Sequence, residues 1–405
     1  MASAKLARKI AFNVPCIGAE EIGSVVETLR SGWLTTGSKA AQLEKEVAAF
    51  TRARYAVAVN SCTAGLHLSL LALGVGPGDE VITTPYTFSA TGETIVHTGA
   101  RPVLVDVERG GFNIDPQKIA AAITARTKAI VPVHIAGDPC NMTEILSLAR
   151  RKGIHVVEDA AHALGTWYDG NPVGSISTLT VFSFYATKNL TTGEGGMVTT
   201  DSEKLAKNIR QLSLHGLSHD AWNRYSDRGS WRYEICTLGY KCNLSDIQAA
   251  IGIAQMHKFE TMQARRRKLV EAYQEGLAGL PDLILPEERE GTRHAWHLYI
   301  IRLAEERARE QRDDLIEQLK GMGIGVSVHF IPLHLHRYYQ QTFNYRPGDF
   351  PEAEKQYQAA ISLPLYPTLR REEVAFICRA LRRLLHRPAP HRSRRGISHH
   401  DKAIV

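Results

Sequence analysis

The chain has 405 residues, 44% of them hydrophobic and 22% charged, and a formal charge of +7. It is too long for one ordinary core and too apolar for a disordered chain, so two or three globular domains are expected. The basic surplus gathers late, at Arg379, Arg382, Arg383, Arg387, Arg392, Arg394 and Arg395, which is a local cluster and not a nucleic-acid footprint over a whole face.

No window nears the roughly 20 apolar residues of a membrane span. The opening stretch MASAKLARKIAFNVP lacks the apolar core of a signal peptide. Cys16, Cys62, Cys140, Cys236, Cys242 and Cys378 form no C-x-x-C pair and no zinc-ligand spacing. Reduced thiols, no metal site and a cytoplasmic location are therefore expected.

Residues 1–12 read as a loose basic arm. A helix over 19–30 places Ile22, Val25, Val26 and Leu29 on one side and stops at Ser31-Gly32. A second, over 42–50, has Leu43, Val47 and Phe50 on its apolar face. From Tyr55 the chain becomes a series of strand, turn and helix units. Strands are predicted at 55–60, 80–83, 102–107, 128–134 and 154–158, and helices at 66–73, 89–98, 116–124 and 142–152. Such alternation, with strands rich in Val and Ile, argues a mostly parallel sheet covered on both faces. Ligands of such sheets bind outside the carboxyl ends of the strands.

A helix over 205–214 precedes a long polar and aromatic connection, HGLSHDAWNRYSDRGSWRYEI, at 215–235. A loop of that length is usually functional or contacts another subunit. A helical stretch over 244–276, with a break expected at Gly252, then leads to an α+β pattern. Its parts are a strand at 296–303, a helix at 304–321, a strand at 325–331 and a helix at 371–386. The expected division is an arm (1–12), a large domain (13–255), a smaller C-terminal domain (256–387) and a basic, disordered tail (388–405).

The most informative stretch is VFSFYATKNLTTGEGGMVTT, residues 181–200. Two apolar runs of strand character flank one lysine, Lys188, and the glycines Gly193, Gly195 and Gly196. A solvated loop lysine is one reading. The other is an amine removed from water, whose pKa falls and which can form a Schiff base with a carbonyl. Asp159 ends the apolar strand at 154–158, and His162 follows it by three residues. Asp159 either caps the next helix or pairs with a protonated ring nitrogen of a cofactor. Ser61, Cys62, Thr63 and Ala64 lie between a strand and a helix, where backbone N–H groups and hydroxyls suit an anion. Ser183 can add a hydroxyl, and Tyr86 or Phe88 a ring to stack on a ligand.

The motifs NSCTAGLHL, TPYTFSAT, VVEDAAHALG, SFYATKNLTTGEGGM, LGYKCNLSDIQAAIG, VHFIPLH and SLPLYPTL together resemble those of the DegT/StrS-type aminotransferases that act on nucleotide-activated keto-sugars. The resemblance covers residues 12–386. It implies a fold-type I, aspartate-aminotransferase-like α/β large domain with a mixed, mostly parallel sheet, a smaller α+β domain, pyridoxal 5'-phosphate as cofactor and a homodimer with shared active sites. It also implies that Lys188 holds the cofactor as a Schiff base, Asp159 pairs with the pyridine nitrogen, and His162 lies near the ring hydroxyl. Phe88 falls at the stacking position, and Cys62, Thr63 and Ser183 at phosphate-binding positions. Where relatives read Gly-Tyr-Asn-Tyr-Arg and a neighbouring subunit's Asn reaches the phosphate, this chain has Lys241 in the Asn position and Asn243 in the Arg position. Either can make that contact.

His329 matches a position near the sugar. The basic and aromatic residues Trp222, Arg224 and Trp231 are candidates for the nucleotide end. Residues 215–243 are similar to the branch that aminates C4 of UDP-linked 4-keto-sugars. Relatives that eliminate water have His in place of the lysine, so Lys188 favours amine transfer from L-glutamate. The alternatives are another fold-type I reaction on an amino acid, or a regulatory relative without turnover.

Overall fold

The computed structural model describes residues 9–218 and 233–385. The first helices are α1 (Ala19–Ser31) and α2 (Ser38–Thr51). Glu21 accepts a hydrogen bond from the Gly18 N–H at 2.7 Å to start α1, and Gly32, at φ 77°, closes it in the left-handed region.

The next elements are β1 (Tyr55–Val59), α3 (Cys62–Ala72), β2 (Glu80–Thr83), α4 (Ser89–His97), β3 (Arg101–Leu104), α5 (Pro116–Ala122), β4 (Thr127–Val131), α6 (Met142–Lys152) and β5 (His155–Asp159). After them come β6 (Trp167–Tyr168), β7 (Asn171–Pro172), β8 (Leu179–Ser183), β9 (Gly196–Thr200) and α7 (Glu203–Leu212). A seven-stranded sheet runs in the order β1-β9-β8-β5-β4-β2-β3. β9 is antiparallel to both its neighbours, and the other pairings are parallel. Every residue of β8 and β9 is buried, including the polar Thr180, Ser183, Thr199 and Thr200.

α3 begins four residues before the predicted start at 66. Ser61 Oγ caps it by accepting from the Ala64 N–H at 3.1 Å, so the small residues 62–65 form its first turn and not a loop. Their size serves packing. A side chain at Gly65 would meet Val181 at 2.6 Å, so glycine lets α3 lie directly on β8 and β9.

The chain continues through α8 (Asp246–His257) and α9 (Phe259–Leu277), which meet at Lys258. Gly252, the expected break, lies inside α8, where the missing side chain brings Leu43 of α2 and Thr192 close. The remaining elements are β10 (Leu283–Ile284), β11 (Thr292–Arg293), β12 (Tyr299–Leu303), α10 (Glu305–Gly321), α11 (Arg337–Phe343), α12 (Pro351–Ala359), β13 (Ala360–Leu363) and α13 (Arg371–Leu385). β10, β12 and β13 form an antiparallel sheet, and β11 joins β6 and β7 in another. A second core gathers Leu269, Tyr273, Tyr299, Leu319, Ile361 and Leu381.

Two expectations change here. The predicted strand at 325–331 is not a ladder, since only Ser327 bridges to Ser362, and β13 completes the sheet instead. Residues 9–12, predicted to be part of a loose arm, are tied down: Ile10 is buried and exchanges hydrogen bonds with Gly323 O and the Gly325 N–H, each at 2.8 Å. Gly325 permits this, because a side chain there would meet the Phe12 backbone at 2.6 Å. The tail from 386 lies outside the described residues. Among the described residues no helix is long and apolar enough to cross a membrane.

A buried carboxylate is one of the groups that join the two cores. Asp106, buried just after β3, accepts from the Glu352 N–H (3.0 Å) and the Ala353 N–H (2.8 Å) at the start of α12, and Lys118 donates to it at 3.3 Å. It supplies both acceptors and negative charge where a helix terminus needs them. Asp106→Ala is expected to lower unfolding stability by about 2 kcal/mol. A urea unfolding midpoint unchanged from that of the parent chain would show that the carboxylate does not join the cores.

Candidate active site

The antiparallel β8–β9 pair is joined by a loop that folds back on itself. Its backbone bonds run from Lys188 N to Tyr185 O (2.9 Å), Thr192 N to Phe184 O (2.9 Å) and Phe184 N to Gly195 O (2.8 Å). Gly193 takes φ 82° at the tip, with its N–H donating to Thr191 Oγ1 at 2.9 Å. Lys188 is thus held on a pinned loop, and its side chain borders a cavity of about 520 Å³ at the carboxyl ends of β5 and β8. Asp159, His162, Cys62, Thr63, Phe88, Ser183 and His329 line the same cavity, so the structure brings these predicted residues together.

Asp159 is paired in register with Val181 of β8 and is 5% exposed. Thr91 Oγ1 donates to Oδ2 at 2.7 Å and the Ala161 N–H to Oδ1 at 3.1 Å. Burial pushes its pKa up, and these two donors and Lys188 oppose the rise. The next regular element is β6, so the helix-cap reading of Asp159 does not hold. Burial brings the Lys188 amine down to about 8, against the opposing effects of Cys62 and Asp159. A substantial fraction of the amine is therefore neutral near pH 8, whereas a free lysine titrates near about 10.4.

The three histidines of the cavity are neutral. His162 is buried and accepts from the Ala136 N–H at Nδ1 (3.2 Å), and burial with Lys188 beside it holds its pKa well below the usual range. His329 is brought down to about 4 by burial and Lys188; its Nδ1 lies 2.9 Å from Ser362 Oγ, and Phe12 stacks on it at 5.4 Å. His297 also lines the cavity, and burial lowers it strongly. Sequence reasoning missed it. His294 and His297 precede β12 at the same kind of position, yet His294 packs on Trp296 at 4.0 Å, and nothing in their spacing separates the two.

Of the two candidate rings, Tyr86 is wholly buried and donates to His329 O at 2.6 Å, whereas Phe88 is 61% exposed at the cavity. Cys62 and Thr63 are the first two residues of α3, whose N-terminal N–H groups have no partner within the helix. Lys241 and Asn243 stand apart from the cavity lining. Lys241 Nζ donates to Asn243 Oδ1 (2.5 Å), and Asn243 Nδ2 donates to Thr36 Oγ1 (2.6 Å), beside the end of β1. Trp222, Arg224 and Trp231 lie outside the described residues. Among the described residues no cluster of His, Cys, Asp and Glu has the makings of a metal site.

These groups fit the cofactor expected from the sequence. A partly neutral amine suits a carbonyl, and a buried carboxylate suits a protonated pyridine nitrogen. The start of a helix suits a phosphate, and an exposed ring suits a stacking partner.

Comparison with known proteins agrees. The DegT/DnrJ/EryC1/StrS aminotransferase family matches residues 15–382. The chain is 53% identical over 372 residues to the spore coat polysaccharide biosynthesis protein SpsC of Bacillus subtilis, covering 92% of this chain and 96% of that one. Putative sugar aminotransferase Spr1654 from Streptococcus pneumoniae, in its PLP-form, superposes with a TM-score of 0.88 at 37% identity over 93% of this chain and 99% of its own. Helicobacter pylori PseC, an aminotransferase involved in pseudoaminic acid biosynthesis, gives 0.87 at 29% identity over the same shares. With its cavity built around Lys188 and its likeness running nearly end to end, the chain belongs to the DegT/DnrJ/EryC1/StrS aminotransferase family.

Proposed function

We propose that this pyridoxal phosphate-dependent sugar aminotransferase moves the amino group of L-glutamate onto a nucleotide-activated keto-sugar, a UDP-linked 4-keto-sugar, giving an amino-sugar nucleotide and 2-oxoglutarate. The observation that carries the reading is the opening of the Lys188 amine and the Asp159 carboxylate onto one cavity, with the start of α3 at its wall. The UDP and 4-keto assignments are supported by the Lys-x-Asn form at 241–243, which is similar to that of the C4-aminating branch.

Pyridoxal phosphate supplies the carbonyl that captures an amine and the ring that takes up electrons from a carbanion. The chain's own residues do the rest. Lys188 anchors the group, yields to the donor's amine, and as a free base carries the proton from the carbon that loses it to the carbon that gains it. Asp159 keeps the ring nitrogen protonated, a task its burial strengthens because a positive partner offsets its desolvation. His162 offers a neutral N–H beside the ring hydroxyl. Cys62, Thr63 and Ser183 receive the phosphate, and Phe88 covers one ring face.

His329 contacts the sugar, and Arg224 and Trp222 the nucleotide. Neither Lys241 nor Asn243 lines this chain's own cavity, so whichever of the two contacts the phosphate does so in the cavity of a second copy in a homodimer. The protein works in the cytoplasm, a location supported by six unpaired cysteines.

Mixing L-glutamate with the cofactor-loaded protein is expected to convert the aldehyde cofactor to its amine form, seen by visible absorbance. A set of UDP- and TDP-linked 3-keto- and 4-keto-sugars, read by product mass, is then expected to give an amino-sugar from the UDP-4-keto compound. No spectral change with glutamate sinks the aminotransferase reading, and preferential turnover of a TDP or 3-keto compound sinks the substrate assignment.

Lys188→Ala is expected to lose turnover by roughly 10⁴-fold or more and to release its cofactor on dialysis. Retention of the covalent absorbance in that variant would remove Lys188 from its role. In the cofactor-free protein, the neutral amine is the reactive form, so the rate of cofactor capture should rise with pH and level off above about 8. A stopped-flow profile still climbing steeply at pH 10 would show an amine that is not desolvated.

A further inference from the structure

The roles given above use His162 and Lys188 but not the buried groups between them. Asn189 follows Lys188 and is 5% exposed. Its amide nitrogen donates to Ala295 O (2.8 Å) and to Gln263 Oε1 (3.2 Å). Its Oδ1 lies 3.1 Å from His297 Nδ1. Oδ1 can only accept, so Nδ1 of His297 carries the proton and Nε2 is left with a lone pair. On His162 the order is reversed, because the Ala136 N–H donates to Nδ1 at 3.2 Å and the proton of the neutral ring sits on Nε2. The two rings pack with centroids 4.3 Å apart and planes 35° from parallel.

One residue, Ala136, touches both the ring of His162 and the backbone of His297. Ala136 gives its N–H to the His162 ring and takes the His297 backbone N–H on its carbonyl at 2.8 Å. Ala136 sits at φ 60°, a left-handed conformation that costs an alanine about 1–2 kcal/mol. Such a residue persists only where its surroundings over-determine it, commonly at a functional site. Burial, with Lys188 nearby, keeps both rings uncharged, so their contact carries no repulsion.

We propose that His297, with Asn189, is a positioning residue for the transfer reaction: its ring packs on that of His162 so that His162 stays on the Ala136 N–H and keeps its proton on Nε2, and through Asn189 it ties this arrangement to the loop bearing Lys188. The proposal rests on the reading of the site as a pyridoxal phosphate aminotransferase.

The test has two arms. In the cofactor-loaded parent protein, ¹⁵N histidine NMR at neutral pH should show His162 as the Nε2–H tautomer and His297 as the Nδ1–H tautomer; the opposite tautomer, or a charged ring, at either position overturns the proposal. His297→Leu should keep its bound cofactor and its KM for glutamate within about twofold. Its kcat should fall roughly 10²-fold, as a small misplacement of a reacting group does, and the single tautomer of His162 should be lost. His297→Asn, which keeps a donor for Asn189, should recover about tenfold of that loss. An unchanged kcat, or a loss of activity that only tracks loss of cofactor, also overturns the proposal. Should the leucine variant fail to fold, the tautomers in the parent protein still decide. A parent protein that shows no response to glutamate would refute the functional reading, and the two tautomers would then report separately on the geometry.

Discussion

The constraint on which the structure depends is the removal of one carboxylate and one amine from water at the ends of neighbouring strands. Each ion costs several kcal/mol to bury without compensation. The fold supplies compensation to Asp159 through the Thr91 hydroxyl and the Ala161 N–H, with the Lys188 amine also favouring its charged form. Parallel pairing of β5 with β8 sets Asp159 opposite Val181, and the antiparallel return through β9 makes the short loop that carries Lys188. α3 approaches closely because Gly65 has no side chain, and this brings the start of a helix to the same cavity. Beyond Lys188, Asp159 and Glu194 the cavity wall is uncharged, with His162, His297 and His329 all held neutral. Electrostatic interactions between the remaining charges and a ligand are stronger in such surroundings than in water.

Much of this was legible in the sequence, for a physical reason. A buried strand has few ways to tolerate a charge, so Asp159 and Lys188 stood out against the Val- and Phe-rich runs beside them. The strands of the sheet were readable because their burial on both faces enforces apolar residues. Other features depend on contacts distant in the chain and leave no local pattern. Asp106 falls within the predicted strand at 102–107, and its role shows only when α12, some 246 residues later, is placed upon it. β13 is only four residues long and follows directly on α12, so its period is too short to see. The helix break was sought at Gly252 because glycine is a poor helix former, but there it serves close packing on α2.

The ambiguity at Lys241 and Asn243 has a similar origin. Lys241 is engaged by Asn243, Asn243 by Lys241 and Thr36, and neither lines the chain's own cavity, so no partner within one chain could decide between them. His297 was hidden because its significance lies in its tautomer, which Asn189 fixes from a loop 108 residues earlier. The cavity residues and the elements that place them thus form one arrangement: a loop between β8 and β9, a strand end, a helix start and the Ala136 turn.

Lys188 as the covalent anchor is the central claim. It is tested most directly by reducing the cofactor-loaded protein with borohydride, digesting it and locating the cofactor by peptide mass. The account predicts a single modified lysine, in the peptide containing SFYATKNL. A modification at Lys241 or any other lysine, with Lys188 unmodified, would contradict it.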